Sequence, residues 1–353
     1  MTRKVAWMAV KGWGGLLALS VIATVLLELA HLPAALLLGP MAAAVLMAVR
    51  GAGLQMPGRV MTMAQGLVGL MIAGILPPSL IPEIAARWQV VGAGTLSTLV
   101  IAALLGWLLT RSGLLPGTTA IWGSAPGAAS VMTLLSQDYG ADIRLVAFMQ
   151  YLRVACVALA AALVARAFGA HGHAADPVIW FQAMPPLGIA LTVALAALFS
   201  FGGQALKLPG GPFLTPMLGG IALSWSGAVT LMLPPWLLAL AYCGIGWAIG
   251  LRFTPAILAH AARVFPRVLG AILTLIAACG GAAAVLVVVA DVDPLTAYLA
   301  TSPGGADSVA ILSASTHVDV PFVMSMQMAR FLLVLLTGPA VARALSGRQA
   351  RAG

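Results

Sequence analysis

The chain has 353 residues, of which 61% are hydrophobic and only 8% are charged, and its mean hydropathy is +1.05. A soluble domain carries about 25% charged residues, so a chain this apolar could not cover its surface in water. The formal net charge of +9 does not indicate nucleic-acid binding, because the basic residues are scattered singly at the ends of apolar segments. We therefore predict a polytopic membrane protein that binds no nucleic acid.

Apolar segments follow one another along the chain, and each one predicts a helix. They lie at about 12–30, 34–49, 60–76, 88–110, 118–137, 143–167, 178–201, 212–229, 235–252, 266–290, 295–316 and 320–345. Segments 118–137 and 295–316 differ from the others, because they contain Pro-Gly breaks and several polar residues. Irregular backbone cannot face lipid, so we expect both segments to be re-entrant or broken helices that lie inside the protein.

The second half of the chain repeats the first half at a constant offset. Five residues recur 177 positions later: Pro126, Gly127, Asp142, Gln150 and Arg153 return as Pro303, Gly304, Asp319, Gln327 and Arg330. Polar residues are rare in this chain, so a shared register for all of them indicates duplication. We predict two membrane repeats, residues 1–169 and 177–347, with no soluble domain.

The distribution of Lys and Arg predicts the orientation of the repeats. With about five spans and one re-entrant segment per repeat, and a cytoplasmic N-terminus, only Arg87 and Arg166 of the loop residues lie outside. Six full spans per repeat would move several more basic residues outside. We therefore predict an all-α polytopic membrane protein made of two inverted repeats, each with about five spans plus one broken or re-entrant helix. This architecture is typical of secondary transporters.

The two breaks are the predicted substrate-binding site. A break frees backbone N–H groups at the start of the next half-helix, where the helix dipole favours an anion, and it frees carbonyl groups that favour a cation. The candidate residues at the breaks are Ser124, Pro126, Gly127 and Ser130 in the first repeat, and Ser302, Pro303, Gly304, Gly305 and Ser308 in the second. Pro and Gly can also serve only close helix packing, but two matched breaks favour a binding site.

A Gln and an Arg three residues apart follow each break, which places the amide and the guanidinium on one helix face. Gln150 and Arg153, and likewise Gln327 and Arg330, are candidate substrate ligands, because an Arg fork matches carboxylate, sulfonate or phosphate oxygens. The alternative is that each Arg binds carbonyl groups freed by the adjacent break.

Three Asp residues have different predicted roles. Asp307 is a coupling candidate for protons or sodium, because a carboxylate at membrane depth is costly and its equivalent in the first repeat is Ser130. A structural ion pair between Asp307 and an Arg is the open alternative. Asp142 and Asp319 precede the next helices and are predicted N-caps.

Other chemistries have no support in the sequence. The three Cys and five His residues form no CxxC or HExxH pattern, so we expect no metal and no cofactor. No phosphate-binding loop GxxxxGK[ST] and no Ser-His-Asp arrangement occurs. We therefore do not expect an enzyme.

The doubled break motif, Gly39-Pro40-Met41 and Gly250-Leu-Arg-Phe-Thr-Pro255 resemble the duplicated AbrB-type membrane proteins of bacteria. Members of that family are often labelled ammonia monooxygenase or regulators of gene expression. The first label would need copper or iron ligands that this sequence lacks, and the second cannot mean direct DNA binding without a soluble domain. By wider similarity the family is related to cation:proton antiporters and anion transporters, which implies inverted repeats with crossed, broken helices.

We expect a secondary transporter of the bacterial inner (cytoplasmic) membrane, with a small organic anion bound between residues 124–130 and 302–308. The alternative is a non-transporting membrane sensor or regulator that acts through protein partners. Expected partners are the substrate and membrane lipid, and a homodimer is left open.

Overall fold

A computed structural model describes residues 2–30, 34–76, 78–127, 129–167, 180–208, 210–304 and 318–349, and these residues contain helices and no β-strand. The helices are α1 (Thr2–Leu29), α2 (Ala35–Val49), α3 (Gly58–Ile75), α4 (Leu80–Ala86), α5 (Trp88–Arg111), α6 (Thr119–Ser124), α7 (Ala129–Asp138), α8 (Ile143–Ala167), α9 (Pro186–Ala205), α10 (Gly211–Trp225), α11 (Pro235–Gly250), α12 (Pro255–Ala290), α13 (Pro294–Thr301) and α14 (Val320–Gln349). Within the described ranges, 7 helices are long and apolar enough to cross a membrane. The predicted all-α polytopic membrane protein is therefore confirmed, and the inverted orientation of its repeats stays a prediction.

Most helices follow the predicted segments, but α1 begins at Thr2 where residue 12 was predicted, and α9 begins at Pro186 where residue 178 was predicted. Two further differences concern α4 and α12. Helix α4 was not predicted, and α12 begins at Pro255, well before residue 266. The two differences are related, because residues 80–111 are equivalent to residues 257–288 at the offset of 177. In the first repeat the helix is interrupted at Arg87, with φ −123° and ψ 31°. In the second repeat Val264 holds the equivalent position, and one 36-residue helix runs through it.

The chain forms two compact units, and each unit takes equivalent parts of both repeats. Unit 1 contains Met1–Pro77 and Pro177–His260, and unit 2 contains Pro78–Asp176 and Ala261–Gly353. Helices α1–α3 and α9–α11 therefore belong to unit 1. Helices α4–α8, α13, α14 and most of α12 belong to unit 2. The repeat boundaries at 1–169 and 177–347 stay a prediction about the sequence, since the compact units cut across them.

Unit 1 is held together by close packing between helices of different repeats. Helices α2 and α10 have 15 residues each and contain an internal proline. Gly246 of α11 lies against α2, where a Cβ would be only 2.7 Å from the carbonyl oxygen of Leu37. Gly69 of α3 lies against α10 in the same way, 2.6 Å from the carbonyl oxygen of Phe213. The third helix of each repeat thus packs on the second helix of the other.

Unit 2 has a buried contact between equivalent helices of the two repeats. Ala102 of α5 and Cys279 of α12 belong to one buried cluster, together with Leu275. Ala102 and Cys279 are equivalent positions, 177 residues apart. The cluster therefore joins the two repeats inside unit 2.

Candidate functional site

The first break is the tip of a re-entrant hairpin formed by α6 and α7. The hydroxyl of Thr118 donates a hydrogen bond to the carbonyl oxygen of Tyr139 at 2.8 Å, and the backbone N–H of Asp142 donates to the hydroxyl of Thr119 at 3.0 Å. The two ends of the segment are therefore in contact. A broken helix that continued across the membrane would separate them by about 30 Å, so the open choice between re-entrant and crossing is settled for this segment.

The second break follows the same path as far as the structure describes it. The backbone N–H of Asp319 donates to the hydroxyl of Thr296 at 3.2 Å, which repeats the contact between Asp142 and Thr119. Residue 319 therefore lies beside the first turn of α13, as residue 142 lies beside the first turn of α6. Both segments differ from the crossed helices that the wider resemblance implies. Three predicted site residues lie outside the described residues: Gly305, Asp307 and Ser308.

Gln150 and Arg153 hold the first tip by its carbonyl groups. The Nε2 atom of Gln150 donates to the carbonyl oxygens of Trp122 at 2.7 Å and Ala125 at 3.0 Å. The two Nη atoms of Arg153 donate to the carbonyl oxygens of Ala125 at 2.6 Å and Gly127 at 3.1 Å. Both side chains are fully buried. They satisfy acceptors that the proline break has freed from helical hydrogen bonds.

Gln327 and Arg330 hold the second tip in the same way. The amide of Gln327 donates to the carbonyl oxygens of Leu299 at 2.7 Å and Ser302 at 3.3 Å. Arg330 donates to the carbonyl oxygens of Ser302 at 2.7 Å and Gly304 at 3.3 Å, and also to the side-chain oxygen of Gln327. Four of these contacts reproduce those of the first repeat at the offset of 177. Arginine binding to freed carbonyl groups is thus observed, and substrate contact by the same residues stays a prediction.

The arginines that hold the two tips lie near the middle of the candidate membrane spans Ile143–Ala161 and Val320–Gly338. Arg153 and Arg330 each follow the Asp that begins their helix by eleven residues. At 1.5 Å per residue this is about 16 Å, roughly half of a 30 Å hydrocarbon core. The second hairpin also contacts α12, where the hydroxyl of Thr301 donates to the carbonyl oxygen of Cys279 at 3.2 Å.

The charges of these two arginines have no carboxylate partner in the part of the chain that the structure describes. Ion pairs found there include Arg144 with Asp142 at 2.7 Å and Arg87 with Asp319 at 2.9 Å. The Nε atoms of Arg153 and Arg330 are buried and make no hydrogen bond with any described residue. Among the described residues, the two guanidinium charges therefore have no counter-charge and the two Nε–H donors have no acceptor.

A small apolar cavity of about 10 Å³, which is room for about one water molecule, lies beside the first tip, with Arg153 in its lining. It is lined by residues of α5, α6, α8 and α12. No group of three or more His, Cys, Asp or Glu side chains that suits a metal ion occurs among the described residues.

The comparisons with known proteins identify the family. The family model described as "Transition state regulatory protein AbrB" matches residues 36–346 of this chain. The chain belongs to the AbrB family. It is 47% identical over 343 residues to "Putative regulator AbrB" of Escherichia coli (strain K12), a match that covers 96% of this chain and 98% of the relative. It is also 25% identical over 302 residues to "Uncharacterized protein YhjN" of Bacillus subtilis (strain 168), covering 81% and 79% of the two chains.

The AbrB-family match spans both helix breaks, so the resemblance predicted from the doubled motif is confirmed. The predicted N-caps of this AbrB-family chain are confirmed as well. The carboxylate of Asp142 accepts from the backbone N–H of Arg144 at 3.0 Å, and that of Asp319 accepts from the N–H of Phe322 at 3.0 Å. Burial raises the pKa of Asp142, but the hydrogen bonds and charge of Arg144 outweigh burial and leave its pKa below the ordinary value.

Some residues of the AbrB-family site escaped the sequence reasoning. Thr119 and Thr296 close the two hairpins. They are separated by the repeat offset of 177 residues, and this spacing could have predicted that they have the same role. Arg87 pairs with Asp319 and also lies over the ring of Phe322, 5.5 Å from its centre. No sequence pattern could have revealed this contact, because 232 residues separate the partners.

Proposed function

We propose that this AbrB-family protein is a secondary transporter of a small organic anion, with the substrate bound between the two hairpin tips. The observation that carries the proposal is the pair Arg153 and Arg330, buried at mid-membrane depth with no carboxylate partner among the described residues. Buried charge without a counter-charge is costly in a membrane. An anionic ligand would offset that cost in both repeats at once.

The carbonyl contacts of the arginines define their role in this proposal. Their Nη atoms hold the tips in shape, and their Nε atoms face the substrate. Ser302 adds a buried hydroxyl that has no hydrogen-bond partner in the described residues. Ser130 is buried in the first turn of α7, where the positive end of the helix dipole attracts an anion. The remaining predicted ligands that the structure describes belong to the same two tips in this proposal: Ser124, Pro126, Gly127, Pro303 and Gly304.

The proposed transporter lies in the bacterial inner membrane with its N-terminus in the cytoplasm. Unit 2, which carries both hairpins, is the transporting core in this proposal, and unit 1 is the scaffold. Asp307 is the proposed coupling residue for protons or sodium. If replacing Asp307 by Asn left both substrate affinity and its pH dependence unchanged, this coupling role would be wrong. We propose no enzymatic activity.

Ligand-dependent thermal unfolding of the purified protein tests the anion site. Carboxylates, sulfonates and amines are screened with and without sodium, and a ligand at 100 times its Kd adds about 2.7 kcal/mol to the unfolding free energy. We expect a carboxylate to stabilise the wild type and to have much less effect on Arg330→Gln. Arg111→Gln is the matched control, because Arg111 is an exposed residue at the end of α5. Stabilisation by amines alone would overturn the anion site.

A regulator that does not transport is the second candidate function, favoured by the name "Putative regulator AbrB" of the Escherichia coli relative. It also binds a ligand but moves none. Uptake of a radiolabelled hit into proteoliposomes, with and without a proton or sodium gradient, separates the two functions. Binding without uptake under every gradient would favour the regulator.

A further inference from the structure

Unit 1 carries almost all of its charge as Lys and Arg. Its residues, 1–77 and 177–260, include Glu28 as their only acidic residue. Its basic residues are Arg3, Lys4, Lys11, Arg50, Arg59, Lys207 and Arg252. The structure describes the side chains of the last four, and all four are exposed. Unit 1 therefore has a strong excess of positive charge.

Arg50 and Arg252 lie at the same end of unit 1, although they are far apart in the sequence. Met47 of α2, Leu54 of the following loop and Leu251 pack against one buried apolar cluster. Arg50 lies between Met47 and Leu54 in the chain, and Arg252 directly follows Leu251. The end of α2 and the end of α11 are therefore held together, and an arginine follows each helix.

Arg59 and Lys207 lie at this end as well. The hydroxyl of Thr62, in the second turn of α3, donates at 3.3 Å to the side-chain oxygen of Gln204, which lies next to the end of α9. Arg59 precedes Thr62 by three residues, and Lys207 follows Gln204 by three. The loop that contains Leu54 leads directly into α3, so these two charges join the two arginines. Together they form the basic end of unit 1: Arg50, Arg59, Lys207 and Arg252.

The acidic residue of unit 1 lies at its other end. Gly12 of α1 lies against Leu54, beyond the end of α2. Gly39 of α2 lies against Thr24 instead, so α1 and α2 are antiparallel. Glu28 follows Gly12 by sixteen residues, which is about 24 Å along a helix. This carboxylate is therefore far from the basic end, whose charge stays strongly positive.

Large apolar side chains are exposed beside these charges. Leu206 and Leu208 lie on either side of Lys207, and they are 70% and 46% exposed. Val60 follows Arg59 and is 44% exposed. A phosphate ion would bind only the charges, whereas a phospholipid would also cover the apolar side chains with its acyl chains. Positive charge beside exposed apolar surface therefore fits a lipid.

We propose that the basic end of unit 1 binds the phosphate headgroups of anionic phospholipids. Arginine forms paired hydrogen bonds with phosphate oxygens, and each basic residue near an anionic membrane surface strengthens binding about fivefold. Positive charges gathered at one end repel one another, and anionic headgroups offset this repulsion. The proposal does not depend on the transported substrate, because none of the four residues belongs to the hairpin tips.

Thermal unfolding of the delipidated full-length protein tests the proposal. The probes are dioleoylphosphatidylglycerol, dioleoylphosphatidylcholine and inorganic phosphate, each added in the same detergent. We expect phosphatidylglycerol to raise the melting temperature most, and we expect added salt to reduce its effect by screening the exposed charges. Equal stabilisation by the two lipids would overturn the proposal. Inorganic phosphate that matches phosphatidylglycerol would also overturn it, because the site would then bind a free anion.

Substitutions at the basic end make the test specific. Replacing any one of its four residues by Gln should weaken the binding of phosphatidylglycerol about fivefold, measured by titration in native mass spectrometry. Replacing all four should remove the preference over phosphatidylcholine. Arg50→Lys keeps the charge and should bind nearly as well as the wild type, which separates lost charge from a disturbed fold. Arg87→Gln is the control, because Arg87 is exposed but belongs to unit 2 and pairs with Asp319.

Two further outcomes would assign the basic end differently. An unchanged lipid preference in the variant with four Gln residues would show that these charges only orient the chain during membrane insertion. Stabilisation by polyglutamate, with none by phosphatidylglycerol, would indicate an acidic protein partner. Either outcome would overturn the proposal and leave the proposed anion transport untouched, because that function is tested with ligands of the hairpin tips.

Discussion

The hydroxyl of Thr119 accepts a hydrogen bond from the backbone N–H of Asp142 at 3.0 Å, and this contact joins the start of the first hairpin to the start of α8. Thr296 and Asp319 form the same contact at 3.2 Å in the second repeat. Because equivalent residues repeat the contact, closure of the hairpin is a property of the repeat and not of one segment.

Replacing Thr119 by Val should weaken this closure without changing the shape of the side chain. The variant removes the acceptor for the Asp142 N–H, so we expect a loss of about 1 kcal/mol in unfolding free energy. Thermal unfolding of the purified protein measures it. Thr274→Val is the control, because the hydroxyl of Thr274 is exposed and bonds only within its own helix to Gly270. Equal losses in the two variants would show that hairpin closure contributes nothing specific.

Replacing Arg153 by Lys should destabilise the first tip although the charge is kept. A Lys ammonium lacks the planar fork that reaches the carbonyl oxygens of Ala125 and Gly127 together. We expect one buried carbonyl to lose its partner, at a cost of about 1–3 kcal/mol. Arg330→Lys should behave alike, because the second tip is held in the same way.

Protease sensitivity of the hairpins, measured beside thermal unfolding, checks the Lys variants. Arg59→Lys is the matched control, since Arg59 is exposed at the start of α3. Wild-type stability in both Arg153→Lys and Arg330→Lys would show that hydrogen bonds from the two arginines to the tip carbonyl groups do not stabilise the hairpins.

Asp142 should make the stability of the protein depend on acid pH. Burial raises the pKa of Asp142, but the hydrogen bonds and charge of Arg144 outweigh it and hold the folded pKa below the ordinary value of 3.8. The ionised carboxylate therefore stabilises the fold above about pH 4, and this contribution is lost as the pH falls through the lower folded pKa. The difference in melting temperature between wild type and Asp142→Asn should be constant near neutral pH and should vanish below the folded pKa.

Melting curves from pH 7 down to pH 3 measure this difference. Asp291→Asn is the control, since Asp291 is exposed and its left-handed backbone, with φ 49°, tolerates Asn. A difference for Asp142→Asn that grows toward pH 3 would have the wrong sign and contradict the assignment.

The ion pair between Arg87 and Asp319 should contribute little by itself. Its side chains are 57% and 40% exposed, and exposed pairs couple by about 0.2–1 kcal/mol. Asp319→Ala should cost more than Arg87→Ala, because Asp319 also caps α14 through the N–H of Phe322. A double-mutant cycle by thermal unfolding isolates the pair. A coupling well above 1 kcal/mol would show that the pair is shielded from solvent.

The sequence predicted much of the fold, because helical periodicity and matched register are local properties. Gln150 and Arg153 were placed on one face by their spacing, and they do share the first tip. The re-entrant path could not be predicted, since crossing and returning segments need the same buried composition. The contact of Thr119 with Asp142, 23 residues apart, decides between them. The close contact of Gly246 with α2 could not be predicted either. The chain contains 39 glycines, and nothing in the sequence distinguishes this one from the others.

The division of each repeat between the two compact units has a consequence for biosynthesis. When the ribosome has completed α8, neither unit has all of its helices, because each also needs helices from the second repeat. Unit 1 becomes complete only after α11, and unit 2 only after α14. The first hairpin, with its buried Arg153, is therefore made long before α13 and α14 and must persist in the nascent chain until they emerge. A half-length product would therefore contain neither unit in full.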